Sequence, residues 1–266
     1  MTSDTVRLHY RTEGPRTEGP PDAPVVFLGG SLGTTLAMWG DLVESLTDRY
    51  RVVRFDTRGH GSSPIPPGPY TMRELAADVV ALADDLDIDR FAYVGLSLGG
   101  AIGQTLAVEH PDRLTSLVLC CTAPKFGDPA AWRERSARVT AEGMAWLVEI
   151  TNERWFPPSF IASHPERVKD ILDMLATTSP VGYAACCDAI ASYDLRHRIG
   201  EIDIPTRVIA GGQDLVTPPE VTQLLAEGIR GADHVVIAEA AHIANVARPE
   251  QFNATVVEHL DRTTRI

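Results

Sequence analysis

Short apolar runs and longer amphipathic stretches take turns along this chain. PVVFLGG (24–30), RVVRF (51–55), FAYV (91–94), LTSLVLCCTAP (114–124), PTRVIAGGQD (205–214) and HVVIAEA (234–240) are the runs, most of them bounded by Gly, Pro or Asp. Runs of this length and composition read as strands, those at 24–30, 91–94 and 114–124 as buried ones. Between them, helical patterns cover about 35–47, the stretch from Thr71 to about Leu86, and Ala101 through Leu106 up to Pro111. Thr71 and Glu74 have the spacing of a capping box, as do Thr217 and Glu220, and Pro249 opens a last helix. Strands alternating with helices predict an α/β fold with a mostly parallel, doubly wound sheet, whose ligands bind at the carboxyl ends of the strands.

The alternation stops between 126 and 198. Strand signals vanish there, helical periodicity takes over, and Trp132, Trp146 and Trp155 gather in one stretch. The chain therefore divides into a core domain, 1–125 with 199–266, and an inserted helical cap, 126–198. With 266 residues, 44% of them hydrophobic, it is long enough to bury such a core. The turn-rich duplication RTEGP-RTEGP (11–20) is expected to lengthen a hairpin loop.

Charge and cysteine usage narrow the function classes. A net charge of -12 argues against nucleic acid as a partner, and any recognition of an anion has to come from local arginines. No run approaches the roughly 18 apolar residues of a membrane span. MTSDTVRLHY lacks the basic start and apolar core of a signal peptide, so a cytoplasmic protein is expected. Its oligomeric state is open, with a homo-oligomer among the options. The four cysteines form two adjacent pairs, Cys120-Cys121 and Cys186-Cys187, which fit neither a metal knuckle nor a disulfide framework and are expected to be reduced packing residues. No H-E-x-x-H, P-loop or paired C-x-x-C is present, so no cofactor or metal is expected.

Candidate chemistry starts at GLSLG (95–99). Ser97 stands where the strand gives way to the helix, with a glycine two residues to either side, the G-x-S-x-G pattern of a nucleophile elbow. A helix N-cap serine is the plainer reading of Ser97 alone. The elbow demands a later acid and then a histidine. Asp214 follows its strand in GGQDLVTPPE, on the edge where ligands bind; Asp128, the first carboxylate after the strand 114–124, lies too far into the cap. Of eight histidines, His242 lies in the loop after the final strand, within reach of both partners. His9 falls in the first strand, His110 at a helix end, His164 and His197 in the cap, His234 at a strand start and His259 in the last helix. His60, in the glycine turn DTRGHG, has a structural role, and Asp56 and Arg58 are expected to hydrogen-bond that turn. In the resulting triad His242 takes the Ser97 proton and Asp214 orients the imidazole. The backbone N–H of Leu98, at the start of the elbow helix, and that of Leu32, past the glycine pair, are the expected oxyanion donors.

LGGSLGTTLAMW, FDTRGHGSS, GLSLGG, LVLCCTAPKFG, GGQDLVTPPE and AHIANVARPEQF together resemble the α/β-hydrolase superfamily, and more narrowly its 3-oxoadipate enol-lactonase family. The likeness runs over nearly the whole chain. Two positions depart from the family pattern, which often has Asn at 30 and 121 where this chain has Gly30 and Cys121. The resemblance implies that Ser97 attacks a small anionic enol-lactone and that water then releases 3-oxoadipate from the acyl-enzyme, without a cofactor. A carboxylesterase, a carbon–carbon bond hydrolase and a cofactor-free haloperoxidase or perhydrolase are alternatives within the fold, and a ligand receptor is one outside enzymology. The enol-lactone carries one carboxylate. Trp132 is the candidate to cover its ring, and Arg133 or Arg135, directly after that tryptophan, to bind the carboxylate.

Overall fold

In this computed structural model residues 5–15 and 23–264 are described. Seven strands form one sheet in the order β1-β3-β2-β4-β5-β6-β7: Tyr10–Glu13, Arg51–Phe55, Val25–Gly29, Phe91–Leu96, Leu114–Cys120, Thr206–Gly211 and Asp233–Ile237. All neighbours are parallel except β1, which runs antiparallel to β3. The duplicated pentapeptide does not lengthen a hairpin. Arg11–Glu13 of its first copy are in β1, whose partner is β3 rather than the following strand β2, and the second copy, 16–20, lies outside the described residues. His9 stands one residue before β1, its Nδ1 donating to Asp56 Oδ2 at 2.8 Å.

The strand order reverses at β2. The chain steps from β2 outward to β3, then returns past β2 to β4 and continues to β7. Because parallel crossovers are right-handed, the reversal sends the connecting helices to opposite faces. α1 (Gly40–Leu46) accordingly packs with α11 (Pro249–Thr263), and α2 (Met72–Asp85) with α3 (Leu98–Glu109). The carboxyl ends of β2 and β4 meet at this switch point, with Gly29 beside Gly95, which is where the topology leaves room for a ligand.

Local signals account for several helix ends. Thr71 and Glu74 form the reciprocal capping box at the start of α2. Proline opens the cap helices α4 (Pro129–Glu142), α6 (Pro158–Ser163), α7 (Pro165–Thr177) and α8 (Pro180–Ser192); α5 is Ala145–Trp155. Asp128 is the N-cap of α4, accepting the Ala130 N–H at 2.9 Å. The cap is therefore helical over Pro129–Ser192, between β5 and β6. It sits hard on the core, since a Cβ on Gly59 would lie 2.6 Å from Gly182 Cα in α8. All four cysteines are buried and free, and among the described residues no helix is long and apolar enough to cross a membrane.

His259 of α11 gives the fold a pH sensitivity. Burial, aided by the nearby Arg207, pushes its pKa down to about 4. The unfolded chain therefore binds more protons than the folded one below about pH 6.5, and stability falls as pH drops through that window. Between pH 7 and 4.5 the loss is expected to be about 2 to 3 kcal/mol. His259→Gln should remove that component from urea-unfolding free energies measured across the window.

Candidate active site

Ser97 bridges β4 and α3 with φ 56° and ψ -111°, a region that side chains occupy only under strain. A Cβ on Gly95 would lie 2.3 Å from the Gly99 carbonyl oxygen, and one on Gly99 2.1 Å from that of Gly29. Both glycines are thus required by close backbone approach. Neighbouring backbone holds the strained residue: the Ser97 N–H donates to the Cys120 carbonyl at 2.9 Å, and Thr122 Oγ1 donates to the Ser97 carbonyl at 2.8 Å.

The structure brings the three predicted side chains together. His242 Nε2 lies 2.9 Å from Ser97 Oγ, and its Nδ1 lies 2.8 Å from Asp214 Oδ2; all three residues are buried. A carboxylate only accepts, so Nδ1 carries the proton and Nε2 presents a lone pair to the serine hydroxyl. Asp214 Oδ1 accepts the N–H groups of Val216 and Thr217 at 2.7 and 3.1 Å, and Oδ2 accepts the Thr217 hydroxyl at 2.7 Å. Burial pushes the Asp214 pKa up, but the adjacent His242 and these hydrogen bonds outweigh it and hold the carboxyl below its ordinary range.

Thr217 therefore does not cap the next helix. α9 (Pro219–Gly228) begins after Pro218 without a side-chain cap, because the threonine hydroxyl is directed back to Asp214.

Leu32, one of the two expected oxyanion donors, lines the pocket with Ser97, and Leu98, the other, directly follows the serine. The N–H groups of Leu32 and Leu98 have no hydrogen-bond acceptor among the described residues, and Leu98 is the first residue of α3. What holds the Leu32 loop was less visible in the sequence. The Gly33 N–H donates to His60 Nε2 at 2.9 Å, which leaves the proton on Nδ1, 3.3 Å from the Arg58 carbonyl. Burial pushes the His60 pKa down, favouring this neutral form. Asp56 ties the same loop by accepting the Leu36 N–H at 2.7 Å and the Ser62 N–H at 2.9 Å. Arg58 reaches into α2, pairing with buried Asp78 at 2.5 Å. The GH turn and the Leu32 loop are thus one hydrogen-bonded unit. Losing an oxyanion donor costs about 100- to 1000-fold in kcat, so if Leu32 is such a donor, misplacing it through His60→Ala should cost up to about 100-fold, with KM changed little. Steady-state kinetics on an aryl ester checks this.

Above Ser97 the cap closes a pocket. Trp132 and Arg135 line it, together with Arg154, Trp155 and Tyr183. Trp132 donates from its ring nitrogen to the Phe126 carbonyl at 2.9 Å, and the Arg135 guanidinium carbon lies 4.6 Å from the centre of the Trp132 ring. Arg133 is exposed and does not line the pocket. In α4 the i, i+3 spacing places Trp132 and Arg135 on one face, while Arg133, one residue after Trp132, is turned away. Arg154, in the last turn of α5, was not singled out from the sequence, where it is one polar residue in an amphipathic helix. Gly30 and Cys121 lie outside the pocket lining. Cys121 has φ 45°, a conformation that asparagine adopts more readily than most residues, which gives a backbone reason for the family's Asn there. Among the described residues no cluster of side chains is suited to hold a metal ion.

Comparison with known proteins agrees with this geometry. Residues 23–151 match the family model described as alpha/beta hydrolase fold. The chain is 40% identical to 3-oxoadipate enol-lactonase 2 of Acinetobacter baylyi over 96% of its length and 94% of the relative's. It is similar to the enol-lactonase from Burkholderia xenovorans LB400, with a TM-score of 0.93 and 41% identity over 96% of this chain and 97% of that one. A Variovorax paradoxus protein provisionally named carbamate hydrolase RutD is 30% identical over 97% of both chains. The likeness spans core and cap, and the elbow lies at the switch point of the sheet: the chain belongs to the α/β-hydrolase family.

Proposed function

We propose that this protein opens the ring of 3-oxoadipate enol-lactone by nucleophilic catalysis at Ser97. The observation that carries the reading is the 40% identity to a 3-oxoadipate enol-lactonase over nearly the full length of both chains, cap included. The relay Ser97, His242 and Asp214 supplies the chemistry. His242 Nε2 takes the hydroxyl proton as Ser97 Oγ bonds to the lactone carbonyl carbon, and the N–H groups of Leu32 and Leu98 receive the charge on its oxygen. Collapse of this adduct breaks the ring C–O bond. The ring oxygen leaves as an enol, taking the proton from His242, and the enol tautomerises to the ketone. His242 then removes a proton from water, whose oxygen attacks the acyl carbon and returns Ser97 Oγ to its hydroxyl form, releasing a dicarboxylate.

The test is spectrophotometric. Purified protein given enzymatically generated enol-lactone should consume it and yield 3-oxoadipate, with a kcat/KM well above that for p-nitrophenyl acetate. Ready cleavage of the aryl ester with no turnover of the lactone would turn the reading to a carboxylesterase.

A further inference from the structure

Four hydroxyl side chains line the pocket, and three of them are engaged. Ser97 Oγ meets His242 Nε2 at 2.9 Å, Thr151 Oγ1 donates to the Leu147 carbonyl at 2.6 Å, and the Tyr183 hydroxyl is held by Arg135. The fourth, Ser31, has no side-chain hydrogen bond among the described residues, although it is buried at 4% exposure. Buried hydroxyls are as a rule hydrogen-bonded, so one left open inside a pocket points to a partner from outside the protein. The Ser31 carbonyl is turned into its own loop, where it accepts the Thr34 N–H at 3.1 Å and the Thr34 hydroxyl at 2.8 Å. The side chain is therefore what Ser31 presents to the pocket. Polar side-chain atoms that are both sealed and unpartnered do occur, Tyr93 Oη and Asn245 Oδ1 among them, but Ser31 Oγ is not one of these and opens into the pocket.

The topology says which part of a substrate this hydroxyl meets. Gly29 and Gly95 are partners across β2 and β4, and Ser31 and Ser97 each follow two residues later, so the two serines leave the sheet side by side. The Gly99 N–H, donating to the Gly30 carbonyl at 3.0 Å, fixes that spacing. His242 comes from the other direction, after β7, with β5 and β6 between. Ser31 thus stands on the side of the nucleophile away from the base, next in the chain to Leu32, and out of line for the protons that His242 moves.

We propose that the Ser31 hydroxyl is a third oxyanion donor, adding a side-chain hydrogen bond to those assigned to the Leu32 and Leu98 N–H groups. The assignment rests on the reading of Ser97 as the nucleophile and deepens it. A hydroxyl that no protein acceptor holds turns its proton to wherever negative charge grows, and charge grows on the former carbonyl oxygen only as Ser97 Oγ bonds to the carbon. The neutral carbonyl of the bound substrate gains less from the same contact, so Ser31 acts on kcat more than on KM.

The experiment is steady-state hydrolysis of p-nitrophenyl acetate by Ser31→Ala, joined to inhibition by two ketones. Benzyl trifluoromethyl ketone adds to Ser97 Oγ and so carries the oxyanion; benzyl methyl ketone binds without that charge. In Ser31→Ala kcat should fall about 10- to 100-fold with KM within about threefold of the parent, the worth of one hydrogen bond to a charged oxygen. The Ki of the trifluoromethyl ketone should rise by a similar factor, and that of the methyl ketone by less than about threefold. A fall in kcat of less than about tenfold overturns the proposal, as does a KM that rises in its place. Both Ki values rising together overturns it too, since that marks a lost shape rather than a lost donor. Ser31→Gly removes the same hydroxyl, and where Ser31→Ala fails to fold it decides by the same criteria. Ser97→Ala separates the two readings: if it still hydrolyses the ester, the nucleophile is misplaced, whereas an inactive Ser97→Ala beside an unimpaired Ser31→Ala removes the third donor alone.

Discussion

Ser97→Ala is expected to lower kcat/KM by about 10⁴- to 10⁶-fold on any substrate the protein hydrolyses, with the fold intact. The substitution removes one oxygen whose side-chain partner is His242 Nε2. Everything else about the residue stays: the backbone hydrogen bonds to Cys120 and from Thr122 do not involve the side chain, and alanine has the same Cβ at φ 56°. Unfolding free energy should therefore change by less than about 1 kcal/mol, about 2 to 4 °C in Tm for a chain somewhat smaller than this one. Activity within tenfold of the parent would place the nucleophile elsewhere.

Asp214→Asn should cost about 10⁴-fold in kcat, and the hydrogen bonds around the carboxylate say why. Oδ1 is held by two backbone N–H donors, from Val216 and Thr217, so an asparagine has to place its carbonyl oxygen there and its NH₂ at the Oδ2 position. That NH₂ faces His242 Nδ1, 2.8 Å away. The imidazole then has to accept at Nδ1 and carry its proton on Nε2, where it no longer takes the Ser97 proton. An asparagine amide free of such donors could turn over and escape this; here the two backbone N–H groups prevent it. Kinetics on p-nitrophenyl acetate with the refolding yield as control measures the effect, and a loss below tenfold would mean that another carboxylate orients His242.

The two variants also separate the roles within the relay. In the proposed mechanism Ser97 acts by bond formation, so its removal would leave only what the proposed oxyanion donors and the pocket provide. Asp214 acts through His242 and through the loop that Thr217 closes, so Asp214→Asn leaves the nucleophile in place but wrongly served. A fluorophosphonate should accordingly label Asp214→Asn slowly and Ser97→Ala not at all.

The sequence by itself determined the elements that depend on near neighbours. Buried strands announced themselves as apolar runs, α2 by a capping box between Thr71 and Glu74, and the elbow by glycines at fixed distance from Ser97, because periodicity, capping and close backbone approach act over a few residues. The order serine, aspartate, histidine was readable because each follows a strand whose carboxyl end has to lie on one edge of a parallel sheet. Tertiary structure decided what depends on residues far apart in the chain. Thr217 had a local reading as a cap, but the buried Asp214 offered its hydroxyl a charged acceptor and won. His60 had only a turn to explain it until Gly33, 27 residues earlier, supplied the N–H that its Nε2 accepts. Arg133 and Arg135 are equal candidates in a linear chain, and only the face that α4 turns to the pocket separates them. Arg154 lines the pocket because α5 folds back over Ser97, a contact that no pattern within α5 encodes.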